Sequence, residues 1–215
     1  MRLFNAFVKL TGLPVQWLCF RTKVRCEDKK VQGRRIKGAA IIVSNHTSVY
    51  DYAVFLFVFR SRTLRYQMAE CLFRRNRMLK IFLKRMGGIM VDRDAYDLSF
   101  VNKSLGILQR GGVVGIFPEG RLPKETEEKP LPFRSSAAYI ALESGAPVIP
   151  VYTNGSYFRK ERARVMIGKP VYVRELWDGS LDEKSNIDRI TLYLRERVTA
   201  LRDELEGQEK DKKER

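Results

Sequence analysis

The chain has 215 residues, 44% of them hydrophobic and 11% aromatic, which is enough to core one globular domain with a small appendage. Lys and Arg outnumber Asp and Glu by 41 to 25, leaving a net charge of +16, so the surface attracts something anionic: nucleic acid, a phosphorylated substrate or an anionic membrane face. Cys19, Cys26 and Cys71 form no close CxxC pair and His46 is the single histidine, which excludes a zinc-finger ligand set and favours a reduced, cytosolic setting.

Residues 1–38 read as a membrane-surface helix with a basic lead-in. Met1 to Phe20 is apolar and aromatic, but Arg2, Lys9 and Gln16 interrupt it and Pro14 breaks it, so it reads neither as a signal peptide nor as a spanning helix. Leu3, Phe4, Phe7, Val8, Leu10, Trp17, Leu18 and Phe20 beside Arg2, Lys9, Arg21, Lys23 and Arg25 give instead the composition of an interfacial anchor.

Residues 39–205 form the globular domain. AAIIVS (39–44) reads as a buried strand, and a helix follows from Val49 through YAVFLFVF (52–59), a run far below the ~20 residues that a bilayer span needs. In the segment 74–88, Leu79, Phe82, Leu83 and Met86 share one helical stripe while Arg77, Lys80, Lys84 and Arg85 occupy the rest, a pattern that fits an interfacial or a core-facing helix. GIMV (88–91), VVGIF (113–117), PVIPVY (147–152) and ARVMI (163–167) are further short, branched, apolar strands.

Helical spacing of Leu98, Val101, Leu105 and Leu108 ends at Gly111-Gly112, and a second helix over Ser135 to Ser144 ends at Gly145. The stretch 122–132 reads as a mobile loop. Ile187, Ile190, Leu194, Val198, Leu201 and Leu205 line one face of a final helix from Leu181, after which the charged tail, 206–215, is expected to be disordered. Strands separated by helices imply an α/β fold with a mixed, largely parallel sheet flanked by helices.

In such folds chemistry sits where strands end and helices begin. The stretch SNHTSVYD (44–51) lies at such a junction. Five residues along a continuous helix are offset by about 140°, so His46 and Asp51 can meet only if His46 precedes the helix and Asp51 lies in its first turn. Ser48-x-x-Asp51 is also a capping-box pattern, and on local spacing alone the capping and catalytic readings both stand. At the second junction, Glu119, Gly120 and Arg121 follow the strand VVGIF and Pro118. This is either a place to hold an oxyanion or phosphate, or a strand-terminal turn with a solvated ion pair.

These segments together resemble the glycerolipid acyltransferases of the lysophosphatidic acid acyltransferase type. Asn45-His46 followed by four residues and Asp51 matches the first motif of that family, GGIMVDR ending in Arg93 the second, Phe117-Pro118-Glu119-Gly120 the third and APVIPV around Pro150 the fourth. Order and spacing agree over residues about 40–170. The pattern departs after Gly120, where Arg121 comes one residue early, and at PFRSSAA (132–138), where Arg134 and Ser136 stand in place of the usual lysine and glycine.

The resemblance implies an enzyme in which His46, oriented by Asp51, deprotonates an acceptor hydroxyl as it attacks an acyl thioester, with an acceptor site of Arg93, Glu119, Gly120 and Arg121 in which the two arginines bind the phosphate and Glu119 and Gly120 shape the loop. It implies no metal and no cofactor beyond the donor substrate, acyl-CoA or acyl-carrier protein. The acceptor is 1-acylglycerol 3-phosphate (lysophosphatidic acid) and the product phosphatidic acid, made at the cytoplasmic face of the cell membrane by a peripheral or monotopic protein on an anionic membrane surface. A relative acting on glycerol 3-phosphate or another lysophospholipid shares the same motifs. A non-enzymatic basic module is the rival class. Nucleic acid is disfavoured as a partner because the aromatics cluster in apolar runs rather than interleaving with Lys and Arg.

Overall fold

The computed structural model describes residues 2–92, 98–158 and 162–213. Seven strands, β1 (Lys23–Cys26), β2 (Ala40–Ser44), β3 (Leu64–Ala69), β4 (Ile89–Val91), β5 (Val113–Ile116), β6 (Val148–Thr153) and β7 (Arg164–Ile167), pair in the order β1-β7-β6-β2-β5-β3-β4. The five strands from β6 to β4 in that order run parallel, β7 reverses against β6, and β1 follows the direction of β7. The sheet is thus mixed and largely parallel, as the alternation of elements implies.

The helices are α1 (Arg2–Val15), which continues as a π-helical turn over Gln16–Phe20, then α2 (Asp51–Val58), α3 (Glu70–Arg74), α4 (Arg77–Met86), α5 (Ser99–Gln109), α6 (Ser136–Ser144) and α7 (Glu183–Lys213). Successive residues of β2 show how they cover the sheet, because alternate side chains of a strand face opposite sides. Ile41 and Val43 enter a core built with Val101 and Leu108 of α5, Ile140 of α6 and Ile190, Leu194 and Val198 of α7. Ala40 and Ile42 enter the other, with Phe20 and with Val54, Phe55 and Val58 of α2. The helices that follow β2 and β5, α2 and α6, pack on opposite faces of the sheet, the arrangement that places binding sites at the carboxyl ends of neighbouring parallel strands in such folds.

Two strands lack the continuous apolar run that marks the others. β1 (KVRC) is an edge strand and only partly buried, and β3 (LRYQMA) buries Leu64 and Tyr66 while Arg65 and Gln67 stay partly exposed. Their period-two alternation is short and interrupted by charge, which hides it in a scan for buried strands.

The N-terminal segment differs from the expected broken helix. The chain stays helical through Pro14, and the widening to a π turn comes directly after it, a form that accommodates a disturbed hydrogen-bond ladder. Leu3–Phe20 is therefore one helical stretch of 18 residues, long and apolar enough to cross a membrane by length and composition. Its inner flank docks along the domain: the Lys9 ammonium donates to the carbonyls of Arg60 (3.2 Å) and Arg62 (2.6 Å), and the Phe4 ring meets Phe82 of α4 edge-on at 6.0 Å. Leu3, Phe7, Leu10, Trp17 and Leu18 are exposed, as are Met78, Ile81 and Phe82 of α4, the helix that Phe4 packs against.

At its other end the chain is helical through residues 206–213, as a continuation of α7. Glu, Gln, Lys and Asp in this stretch are mostly good helix formers, and the packed part of α7 supplies the costly nucleus. The Gln208 amide donates to Glu204 one turn back at 3.1 Å.

Gly115 lies opposite Tyr66 across β3 and β5, and a Cβ there would sit 2.2 Å from the tyrosine ring. Gly115→Ala is expected to destabilise the fold by about 1–3 kcal/mol through overpacking. Tyr66→Leu in the same chain should relieve most of that penalty, as chemical denaturation of the two single variants and the double variant would measure.

Candidate active site

The site is assembled at the carboxyl end of β2. Asn45, the first residue past the strand, clamps it to β6: its side-chain oxygen accepts from the Thr153 backbone N–H (2.9 Å) and its amide donates to the Thr153 carbonyl (2.8 Å). The chain then turns through His46 to Tyr50 and enters α2 at Asp51. Asp51 is completely buried, and its side chain reaches back over the turn. Oδ2 accepts the backbone N–H groups of Thr47 (2.7 Å) and Ser48 (2.9 Å), and Oδ1 accepts the Thr47 hydroxyl at 2.9 Å. The expected Ser48 cap does not form. Tyr50 holds the N-cap position, and the Ser48 hydroxyl oxygen accepts instead from the Tyr50 N–H at 3.2 Å. Asp51 at the first helical position thus ties down the turn that leads into α2 and places its negative charge at the positive end of the helix.

His46 Nδ1 lies 2.8 Å from Asp51 Oδ2. Because that carboxylate oxygen is an acceptor for two backbone N–H groups already, Nδ1 carries the proton and donates, which leaves Nε2 with its lone pair available. The imidazole side chain is about one-fifth exposed. Phe117 stacks on the ring at 4.2 Å and 11° and is backed in turn by Tyr66 at 4.9 Å and Phe55 at 6.1 Å. Packing on one face and a carboxylate at one edge leave the ring a single orientation.

The other predicted residues divide. Glu119 is buried and faces inward: Oε1 accepts the His46 backbone N–H (2.8 Å) and Oε2 the Leu131 N–H (3.0 Å). It therefore braces the His46 turn rather than presenting its carboxylate to a ligand. The bond to Leu131, together with Arg195 donating to the Pro130 carbonyl at 2.8 Å, pins the end of the 122–132 stretch that was expected to be mobile. Gly120 turns with φ +72°, and a Cβ there would come within 2.7 Å of the Arg134 guanidinium. Arg121 is turned outward into a bidentate pair with Glu127 at 2.7 and 2.6 Å, an arrangement that holds the Glu127 carboxyl at about 2. Its guanidinium is thus already occupied. Arg93 lies outside the described residues.

Several residues of the site carry no local sequence signal. Tyr157 donates its phenolic hydrogen to Asp51 Oδ1 at 2.6 Å across 106 positions, and Thr153 reaches the site through β6, while Arg134, marked in the sequence only as a departure from the family's lysine, comes to Gly120 from the loop before α6. Among the described residues no three His, Cys, Asp or Glu side chains gather closely enough to hold a metal ion.

A family model described as Acyltransferase matches residues 22–154, from β1 to the end of β6, and the chain belongs to that family. A curated relative, the 1-acyl-sn-glycerol-3-phosphate acyltransferase of Bacillus subtilis (strain 168), is 27% identical over 136 residues, which span 61% of this chain and 65% of the relative. The crystal structure of the 1-acyl-sn-glycerophosphate (LPA) acyltransferase PlsC from Thermotoga maritima shares the fold, with a TM-score of 0.61 at 21% identity over 94% of this chain and 79% of that one.

Burial raises the Glu119 carboxyl above its ordinary value of 4.5, against the pull of its two backbone donors. A raised folded value means that the folded state holds this proton more tightly. The resulting stability is fully present below the unfolded value and is lost as pH rises through the folded one. The melting temperature of the wild type should therefore carry a component that declines above pH 4.5 and that Glu119→Gln lacks. Parallel melting profiles for the two proteins up to neutrality would contradict the assignment.

Proposed function

We propose that the chain is an O-acyltransferase that moves a fatty acyl group from an acyl thioester, acyl-CoA or acyl-carrier protein, to the free hydroxyl of 1-acylglycerol 3-phosphate, giving phosphatidic acid. The observation that carries this reading is the imidazole of His46, tied to a buried carboxylate through Nδ1, with about one-fifth of its side chain exposed where β2 ends. Family membership supports acyl transfer as the chemistry, and the names of the two relatives support the acceptor.

Nε2 of His46 takes the acceptor hydroxyl proton as that oxygen bonds to the thioester carbonyl carbon. The tetrahedral intermediate then collapses, the carbon–sulfur bond breaks, and the proton passes from Nε2 to the departing thiolate. No serine nucleophile is needed. A positioned base of this kind contributes typically ~10²–10⁴ in rate.

The acceptor phosphate is assigned to Arg134, an exposed guanidinium lying over Gly120 beside the His46 turn, and to Arg93 on the strength of the family motif. Arg121 joins them only when Glu127 releases it. The acceptor carries one acyl chain and resides in a bilayer, so the outward apolar flank of α1 and the adjoining Met78, Ile81 and Phe82 serve as the contact with an anionic membrane surface.

His46→Ala should abolish thiol release from acyl thioester in the presence of 1-acylglycerol 3-phosphate while leaving the fold intact by circular dichroism. Turnover within a few-fold of wild type would sink the proposal. Arg134→Ala should raise the acceptor KM by about tenfold or more, the equivalent of one charge-assisted hydrogen bond, with the donor KM unchanged. Arg121→Ala should do far less, and the reverse ranking would return the phosphate to Arg121.

A further inference from the structure

Asp51 has more partners than the first turn of α2 supplies. Its Oδ2 is filled from nearby, by His46, Thr47 and Ser48. Its Oδ1 has one local donor, the rotatable Thr47 hydroxyl, and one remote donor, Tyr157 at 2.6 Å. Tyr157 is buried, and its hydroxyl also lies 3.0 Å from Thr153 Oγ1, so the phenol is fixed by two hydrogen-bond partners. The chain reaches this place by a tight turn after β6, in which Gly155 (φ +66°) passes so close to Thr47 that a Cβ would come within 2.5 Å of its hydroxyl oxygen.

The Tyr157 ring is held from a third direction. Phe20, the last residue of the π turn that ends the N-terminal helix, meets it edge-to-face at 5.5 Å and 81°. Phe20 is itself tied in by its carbonyl, which accepts the Ala163 N–H at 3.3 Å, and by ring contacts to Phe158 and Tyr50. The path from the N-terminal helix to the imidazole is therefore unbroken: Phe20, Tyr157, Asp51, His46.

We infer that Tyr157 is a positioning residue for the His46–Asp51 pair, held in place by Phe20 at the end of the N-terminal helix. The inference rests on the proposed role of His46 as base. Without Tyr157 the carboxylate keeps three donors on Oδ2 and one weakly fixed donor on Oδ1, so the plane that aims Oδ2 at Nδ1 loses the one rigid hold that the described residues give it on the far side. Burial and the facing carboxylate push the Tyr157 hydroxyl well above its ordinary value, so it remains a donor throughout the neutral range. The other titratable groups on this pair are Tyr66, a buried phenol that senses Asp51 from the β3 side and sits beside Tyr52, and Glu119 at the His46 backbone.

The single histidine makes the test direct, because the chain contains no other imidazole to confuse its NMR signal. In full-length protein reconstituted with lipid, Tyr157→Phe should lower kcat roughly fivefold to tenfold, as expected for the loss of one hydrogen bond, while both KM values stay within about twofold. The His46 Nδ1–H resonance should be displaced from its wild-type position. Phe20→Ala should move kcat and the resonance in the same direction, and Phe20→Tyr, which keeps the ring, should restore both. Wild-type kcat and an unmoved resonance in Tyr157→Phe would overturn the inference, as would a fall in kcat accompanied by raised KM and an unmoved resonance. An unaffected Phe20→Ala would remove the link to the helix. Loss of activity in His46→Ala alongside a silent Tyr157→Phe would defeat only this inference, whereas an active His46→Ala defeats the proposed base itself.

Discussion

A carboxylate removed from water must have its lone pairs satisfied by the protein, and Asp51 is such a group: completely buried, at the first position of a helix, with five hydrogen-bond donors around it. Much of the site's architecture follows from meeting that need. Two donors are backbone N–H groups of the turn, which fixes the conformation of residues 46–51. One is the imidazole, which fixes the tautomer and ring direction of His46. One is the Thr47 hydroxyl, and the last is a tyrosine from the far side of β6. Starting α2 and holding the imidazole are thus one arrangement, since the geometry that ties down the turn before the helix also aims the carboxylate at Nδ1.

The sheet makes this arrangement possible. Asn45 ties the end of β2 to β6, and Glu119, at the end of β5, ties the His46 backbone to Leu131. Three neighbouring parallel strands therefore converge on one turn from both sides. Phe117 adds a flat wall for the imidazole, and the absence of a side chain on Gly115 leaves the space that Tyr66 needs to support that wall. The residues that matter here are mostly braces, and their polar groups point at backbone rather than at open solvent.

The cations and the apolar flank divide the remaining surface. With +16 net charge and its outward Leu3, Phe7, Leu10, Trp17 and Leu18, the protein is suited to anionic, partly apolar ligands and surfaces. The N-terminal helix is joined to the domain by Lys9, Phe4 and Phe20, which gives it a defined seat beside the site rather than a loose tether.

Residue order alone carried the class of fold, the five apolar strands and the principal helices, because each depends on contacts between near neighbours or on a period that repeats along the chain, whereas local spacing left the pairing of His46 with Asp51 open and the ordered motifs of the resembled family favoured it. Short edge strands such as KVRC escaped it, as did the continuity of the N-terminal helix through Pro14, since packing against the domain overrides local propensity. The roles of Glu119 and Arg121 were also decided by the tertiary structure. An acid and a guanidinium after a strand can face a ligand or the protein, and only the positions of the His46 N–H, Leu131 and Glu127 settle which. Tyr157 was invisible for the plainest reason: its partner lies 106 residues away, and no local pattern encodes a distance that exists only once β2 and β6 lie side by side.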